Sequence, residues 1–375
     1  MKIDTFLLER NQSLYENEVE INLTESGVEP LTLGELLSPA EVAELMQLRL
    51  GYNYTEGTPE LRRAIATWYP GATEHQVLVT TGAAEANFVA AWSLLEPGDV
   101  LAFMVPNFMQ IAGLAAPFGA RLRTFPLVLG DDRWQLDRQA LESAVAEGAK
   151  LIAICNPNNP TGAVLSEADM TAVVDAARAA DAWLLCDEIY RGSELDGRSE
   201  SPTFWGRYDK TIIASSTSKS LAHAGLRIGW AVAPEQFITE AVKRQDYTSI
   251  GTGPINQYLA ATILAPSRRS EILARSRSIL GHNLAIVDAW IERWQGRLRY
   301  VRPDAGGMVF VAYDFAVNSA ELCRLIREQE STLVVAGDWF GLDAHLRIGT
   351  GGHSAELEEG LRRIDRVLRT LPVAQ

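Results

Sequence analysis

Between about residues 76 and 230 the chain alternates short apolar runs with stretches of helical character, a pattern that few folds accept. The runs are residues 77–81, 100–104, 151–155, 183–186 and 211–214. Apolar runs without alternation suit strands covered on both faces, and strands separated by helices suit a mostly parallel sheet. Ser166 stands as an N-cap before a helical pattern over 167–179. The expected class is therefore α/β. Sheets of this kind bind ligands beyond the carboxyl ends of their strands. Polar groups sit at those ends: Gly82 after the first strand, 156–162 after the third, Asp187 after the fourth and 215–219 after the fifth. One crevice is expected to collect them.

After about residue 265 the pattern changes to a long helix, with Ile272, Leu273, Ile279, Leu280, Leu284, Ile286, Val287 and Trp290 at helical spacing. A chain of 375 residues, 47% hydrophobic, has room for about two domains. We expect a large domain over 46–265 and a smaller α+β domain over 266–375, with 1–45 belonging to the smaller one.

The net charge of −14 opposes binding to a phosphate backbone, so nucleic acid is not an expected partner. The three cysteines, Cys155, Cys186 and Cys323, have no metal-ligand spacing and read as reduced core thiols. The first twenty residues lack a basic region followed by an apolar run, and no apolar stretch approaches the roughly 18 residues of a membrane span. The cytoplasm is the expected compartment. Lysine occurs only at Lys2, Lys150, Lys210, Lys219 and Lys243, which narrows the search for a nucleophilic amine.

Lys219 ends Ser215-Ser216-Thr217-Ser218-Lys219, where hydroxyls can meet a phosphate and a desolvated amine can attack a carbonyl. Taken alone, the segment reads as a surface lysine in a serine-rich loop, and only the partners at other strand ends overturn that. Asp187 closes an apolar strand, so its carboxylate needs a cation or a raised pKa; Tyr190 follows three residues on. In 80–85 a Gly and two Ala open a helix whose first N–H groups are free for an anion. Two prolines stiffen 156–162 and could aim Asn159 at a ligand.

In this order Tyr52, Gly82-Ala83-Ala84, Phe108, Asn159-Pro160-Thr161-Gly162, Asp187-Glu188-Ile189-Tyr190, 216–219, Arg227 and Arg347 resemble the class I/II aminotransferases, pyridoxal 5′-phosphate (PLP) enzymes of fold type I. The resemblance implies that Lys219 forms the Schiff base and carries the proton, and that Asp187 pairs with the pyridine nitrogen. It implies that Asn159 and Tyr190 bond the ring oxygen and that Phe108 stacks on the ring. Ala83, Ala84, Ser216, Arg227 and Tyr52 of the other subunit would hold the phosphate, with Gly82 opening that helix. Arg347 would grip the substrate carboxylate. The resemblance also implies a homodimer with shared sites, acting on an amino acid and a 2-oxoacid.

The segment 21–30 lacks the Gly-x-Pro lid pattern common in the family and resembles a capreomycidine-synthase-like sub-branch that works on an arginine derivative. Gly27 and Glu25 here join Arg347 and Asn159 as expected substrate contacts, and Glu25 or Glu29 would favour a cationic amino acid. His223, four residues after Lys219, reads as structural. Transamination is the leading reaction; cyclisation, elimination or oxidation of arginine or a derivative shares the same cofactor. A regulator that binds PLP without catalysis is disfavoured by an acidic chain that has no DNA-binding module. A nicotinamide enzyme is disfavoured because no Gly-x-Gly-x-x-Gly follows the early strands.

Overall fold

The computed structural model describes residues 3–130 and 132–373. The chain opens with helix α1 (Leu7–Tyr15) and the short strand β1 (Ile21–Asn22). There follow β2 (Val77–Thr80), helix α2 (Gly82–Leu94), β3 (Val100–Val105), β4 (Arg121–Leu129) and β5 (Trp134–Leu136). Next come β6 (Ala149–Cys155), helix α3 (Glu167–Ala179), β7 (Trp183–Asp187), β8 (Thr211–Ser216) and β9 (Gly229–Val232). Strands β2 to β9 form one sheet in the order β2-β9-β8-β7-β6-β3-β4-β5. Strands β8, β7, β6, β3 and β4 run parallel. β9 lies antiparallel between β2 and β8, and β5 runs antiparallel at the far edge.

The five expected strands are all present, and β4, β5 and β9 are additional. β4 escapes an apolar-run reading because its residues are largely exposed or half-buried. Side chains of the central strands alternate between two cores, as a pleated strand requires. Ile152, Ile154 and Leu184 face one, with Met170 and Val173 of α3. Leu151, Ala153 and Leu185 face the other, with Ala86, Val89 and Ala90 of α2. Ser166 caps α3 as expected, its Oγ accepting from the Asp169 N–H at 3.1 Å.

The rest of the chain supplies helix α4 (Pro266–Glu292), β10 (Leu298–Tyr300), β11 (Met308–Tyr313), β12 (Thr332–Leu333), β13 (Val335–Ala336), β14 (His345–Gly349) and helix α5 (Ser354–Leu368). An antiparallel sheet runs β10-β11-β14-β13. β1 pairs in parallel with β12, and Ile21 and Leu23 enter the core beneath this sheet with Leu284, Val287, Ile348 and Leu361. The N-terminal segment divides its packing, since Leu36 and Leu37 enter the large-sheet core instead.

Buried Asn283 of α4 fixes the end of β14. Its Nδ2 donates to the carbonyls of Thr350 at 2.7 Å and Gly352 at 2.8 Å, and its Oδ1 accepts from Ser354 Oγ at 2.7 Å. Asn283→Ala strands these groups, and we expect it to lower the unfolding free energy by about 2 kcal/mol, read from a urea titration.

Candidate active site

The carboxyl ends of the large sheet and one end of the small sheet enclose a cavity of about 400 Å³. Strand ends of the large sheet deliver Lys219, Asp187, Asn159 and Tyr190 to it. The first turn of α2 brings Ala83 and Ala84, and Phe108, Arg227 and Arg347 also border it. Groups far apart in the sequence thus share one space.

Arg347 on β14 is only 2% exposed. Its Nη1 donates to Asn159 Oδ1 at 3.1 Å and its Nη2 to the Thr24 carbonyl. Its Nε has no partner among the described residues. Burial pulls its pKa down, and Tyr190, Glu25 and Glu9 act in the opposite sense. Asn159 is aimed by a tied turn: Asn158 Oδ1 accepts from Thr161 Oγ1 at 2.7 Å, and Asn156 Oδ1 from the Leu165 N–H at 2.8 Å.

Asp187 is buried, and desolvation pushes its carboxyl up to about 6. Its partners are neutral, Asn87 Nδ2 at 3.0 Å and the Ile189 N–H at 3.1 Å. A buried carboxylate so placed suits a ligand that brings its own positive charge. The Tyr190 hydroxyl lies 2.8 Å from Ser26 Oγ, and burial raises its pKa. Lys219 Nζ sits 3.4 Å from Glu25 Oε2, and that ammonium holds the Glu25 carboxyl below its ordinary range.

The start of α2 is packed to the limit. Gly82 has φ +77, and a Cβ there would lie 2.5 Å from Arg227 Nη2. A Cβ on Gly229 of β9 would lie 2.2 Å from the Gly82 carbonyl carbon. Such contact leaves the first N–H groups of α2 and the Arg227 guanidinium together, as an anion site requires.

The sequence profile of the family described as aminotransferase class I and II matches residues 14–364. The chain belongs to that family. Capreomycidine synthase of Streptomyces vinaceus is 28% identical over 357 residues, 94% of this chain and 91% of that protein. A probable N-succinyldiaminopimelate aminotransferase of Mycobacterium tuberculosis is 32% identical over 274 residues, 70% of this chain and 63% of that one. The crystal structure of a PLP-dependent aminotransferase from Streptococcus suis superimposes with a TM-score of 0.92 at 30% identity, over 100% of both chains. The protein is a PLP-dependent aminotransferase of fold type I.

The residues of this aminotransferase fit PLP. Asp187, buried among neutral partners, matches a cationic ring nitrogen. The glycine-packed start of α2 beside Arg227 matches a phosphate. The unpartnered Nε of Arg347 matches an incoming carboxylate.

Several expected contacts lie elsewhere. Tyr52, expected at the other subunit's phosphate site, is 97% exposed and does not border the cavity of its own chain. Ser216 closes β8 behind it, its Oγ accepting from the Ser218 N–H at 3.0 Å, and Ser218 borders the cavity instead. Gly27 is a backing position, where a Cβ would come 3.0 Å from the Ser218 carbonyl. Gly82 likewise supports the site from behind. Glu25 borders the cavity, whereas Glu29 lies outside it, 3.5 Å from His353 Nε2. His223 is buried outside the cavity, its Nδ1 against the Leu221 carbonyl. Of the three free, buried cysteines, Cys155 reaches the cavity wall; burial raises its thiol pKa, and its Sγ donates to the Pro157 carbonyl at 3.1 Å. Sequence reasoning missed Asn87, whose signal was an asparagine on the buried face of a largely apolar helix, and missed α1 altogether.

Gly229→Ala forces β9 away from α2, and overpacking of this kind costs about 1–3 kcal/mol. PLP affinity, measured by fluorescence titration of the apoenzyme, is expected to fall about tenfold or more. Asp187 gives a pH-dependent test. Its folded pKa is raised, so the cost of ionising it appears as pH climbs from about 4 through about 6. Asp187→Asn is expected to stabilise the apoenzyme by up to about 3 kcal/mol at pH 8 and hardly at all at pH 4, in paired urea titrations.

Proposed function

We propose that this aminotransferase moves the amino group of an L-amino acid to a 2-oxoacid, with Lys219 as the covalent anchor and proton carrier. The observation that carries the reading is the single cavity that holds the Lys219 amine, the isolated Asp187 carboxylate and the half-satisfied Arg347 guanidinium. Bound PLP supplies the electron sink that makes the substrate Cα–H acidic. Arg347 binds the α-carboxylate as a fork and so orients the Cα–H bond toward Lys219. Lys219 Nζ accepts the Cα proton and later returns one. With PLP bound, Asp187 would keep the ring nitrogen protonated, Asn159 and the Tyr190 hydroxyl would serve the ring oxygen, and Phe108 would pack against the ring. Ala83 and Ala84 N–H, Arg227 and Ser218 would serve the phosphate, with Ser216 holding Ser218 in place from behind.

Two copies sharing each site are part of the proposal. Tyr52, with exposed Met46, Leu50 and Tyr54 near it in the chain, supplies an apolar surface that a second copy would cover, and Tyr52 would then reach the partner's phosphate site. Among the described residues no helix is long and apolar enough to cross a membrane, and we assign the enzyme to the cytoplasm. We place the domain boundaries near residues 45 and 265.

A second reading is favoured by the similarity to capreomycidine synthase and by the absence of a Gly-x-Pro pattern in 21–30. The same residues would then serve cyclisation, elimination or oxidation of arginine or a derivative of it.

Incubation with a panel of amino acids, with and without a 2-oxoacid, separates the readings. Transamination yields a keto acid only with the acceptor present; release of ammonia or peroxide without it supports the second reading. Lys219→Ala is expected to lower turnover by about 10⁴-fold or more. Borohydride reduction of the wild-type holoenzyme should fix the cofactor to the Lys219 peptide, and label on another lysine would refute the assignment.

A further inference from the structure

Helix α1 buries only Leu8 and Gln12 and presents a polar stripe to the cavity. Leu7 and Leu14 are exposed on it, while Glu9, Gln12, Ser13 and Glu16 border the cavity. Those four positions follow the i, i+3, i+4, i+7 spacing of one helix face. A surface helix ordinarily buries its apolar stripe, so one that turns a polar stripe inward does so toward something polar. Leu8 anchors the helix by packing in a small core with Phe310 and Phe340, and Gln12 Nε2 donates to Thr24 Oγ1 at 2.9 Å. The polar face is thereby fixed over the cavity and close to the segment that carries Glu25.

Charge around the cavity does not balance once the proposed roles are filled. Glu9, Glu16, Glu25 and Asp187 border it, against Lys219, Arg227 and Arg347. Under the aminotransferase reading, on which the subsite assignment rests, Arg227 answers the phosphate, Arg347 the α-carboxylate and Asp187 the ring nitrogen. Lys219 is spent in the covalent anchor. Glu9, Glu16 and Glu25 then line the cavity with no cation of the chain left to answer them. Burial raises the Glu9 pKa, Lys219 and Arg347 oppose the shift, and the neighbouring negative charges of Glu25 and Glu16 add to it. Arg347, 2% exposed with an unpartnered Nε, independently marks this cavity as one that receives an amino acid's carboxylate.

We infer that Glu9 and Glu16 of the α1 region, together with Glu25, form the subsite for the substrate's side chain, and that this side chain ends in a guanidinium or an ammonium. A carboxylate trio accepting from such a cation makes charge-assisted hydrogen bonds that a neutral isostere cannot replace. Glu9 and Glu16 therefore act as specificity residues, separate from those that handle the cofactor.

The test uses the PLP-loaded wild-type enzyme and its Glu9→Gln and Glu16→Gln variants. Each is titrated with L-arginine and with neutral, nearly isosteric L-citrulline, and dissociation constants are read from the shift of the cofactor's visible absorption band. The wild type is expected to bind L-arginine or L-lysine at least about tenfold tighter than L-citrulline. Glu9→Gln is expected to collapse that ratio and Glu16→Gln to reduce it, with near-ultraviolet circular dichroism showing that both variants are folded. Equal affinities in the wild type, or a ratio untouched in both variants, overturns the inference while the aminotransferase reading stands. A wild-type protein that develops no band with added PLP overturns that reading and the inference with it. If Glu9→Gln does not fold, Glu9→Asp decides: the inference expects a lowered arginine-to-citrulline ratio, and an unchanged ratio overturns it.

Discussion

The desolvated guanidinium of Arg347 is the constraint around which the molecule is arranged. A charge taken out of water is tolerated only where good hydrogen bonds replace the lost hydration. Here those bonds come from Asn159 on the loop after β6 and from the backbone of Thr24 near the N-terminus. Three remote parts of the chain must meet for Arg347 to be stable in its place. The arrangement that stabilises the ion also closes the cavity around it. One nitrogen is nevertheless left over, and that shortfall is a site for a carboxylate.

The N-terminal segment reaches this meeting point through unusually close backbone contact. A Cβ on Gly349 would lie 2.0 Å from the Glu25 carbonyl oxygen, and one on Gly351 would lie 1.8 Å from that of Gly27. A Cβ on Gly307 would lie 2.7 Å from the Ser26 carbonyl oxygen. Three glycines from the C-terminal part thus form a track along which 25–27 can run, and any side chain on them would lift Glu25 away from Lys219. The family's usual lid pattern is absent from 21–30, and the same stretch is clamped here by backbone hydrogen bonds, Gly349 N to Leu23 O at 2.7 Å and Glu29 N to Gly351 O at 2.8 Å. This wall of the site is preorganised, so little ordering entropy is lost there on binding.

Much of the site was legible in the sequence because parallel strands buried on both faces advertise themselves as apolar runs. Once those runs are located, the residues at their carboxyl ends can be named, as Lys219, Asp187 and Asn159 were. Positions whose role depends on tertiary packing were not legible in that way. Ser216 and Ser218 lie two residues apart where a strand gives way to a loop, and local sequence does not say which serine turns toward the cavity. Helix α1 defeats sequence reading for a stronger reason. Two of its three leucines are exposed while Glu9 borders the cavity, which departs from the pattern that marks a packed helix, and only Leu8 holding to Phe310 and Phe340 explains the orientation. β9 escaped notice because four residues returning antiparallel between β8 and β2 carry no periodic signal, although Gly229 at its start sets the packing of α2.

Asp187 and Glu188 illustrate how geometry separates two adjacent, chemically similar groups. Successive residues leaving a strand point to opposite sides, so only one of the pair can enter the cavity. Asp187 does, and meets neutral donors that leave room for a ligand's charge. Glu188 turns the other way, where Oε1 accepts from Thr203 Oγ1 at 2.9 Å and from the Phe204 N–H at 2.7 Å. Burial pushes Glu188 up to about 7, with nearby Arg191 opposing the shift. Its bonds pin the loop around 203–204 beneath β7 and so hold the strand end that presents Asp187. The two carboxylates share a backbone and divide the labour: one is anchored by the protein so that the other can be left for the ligand.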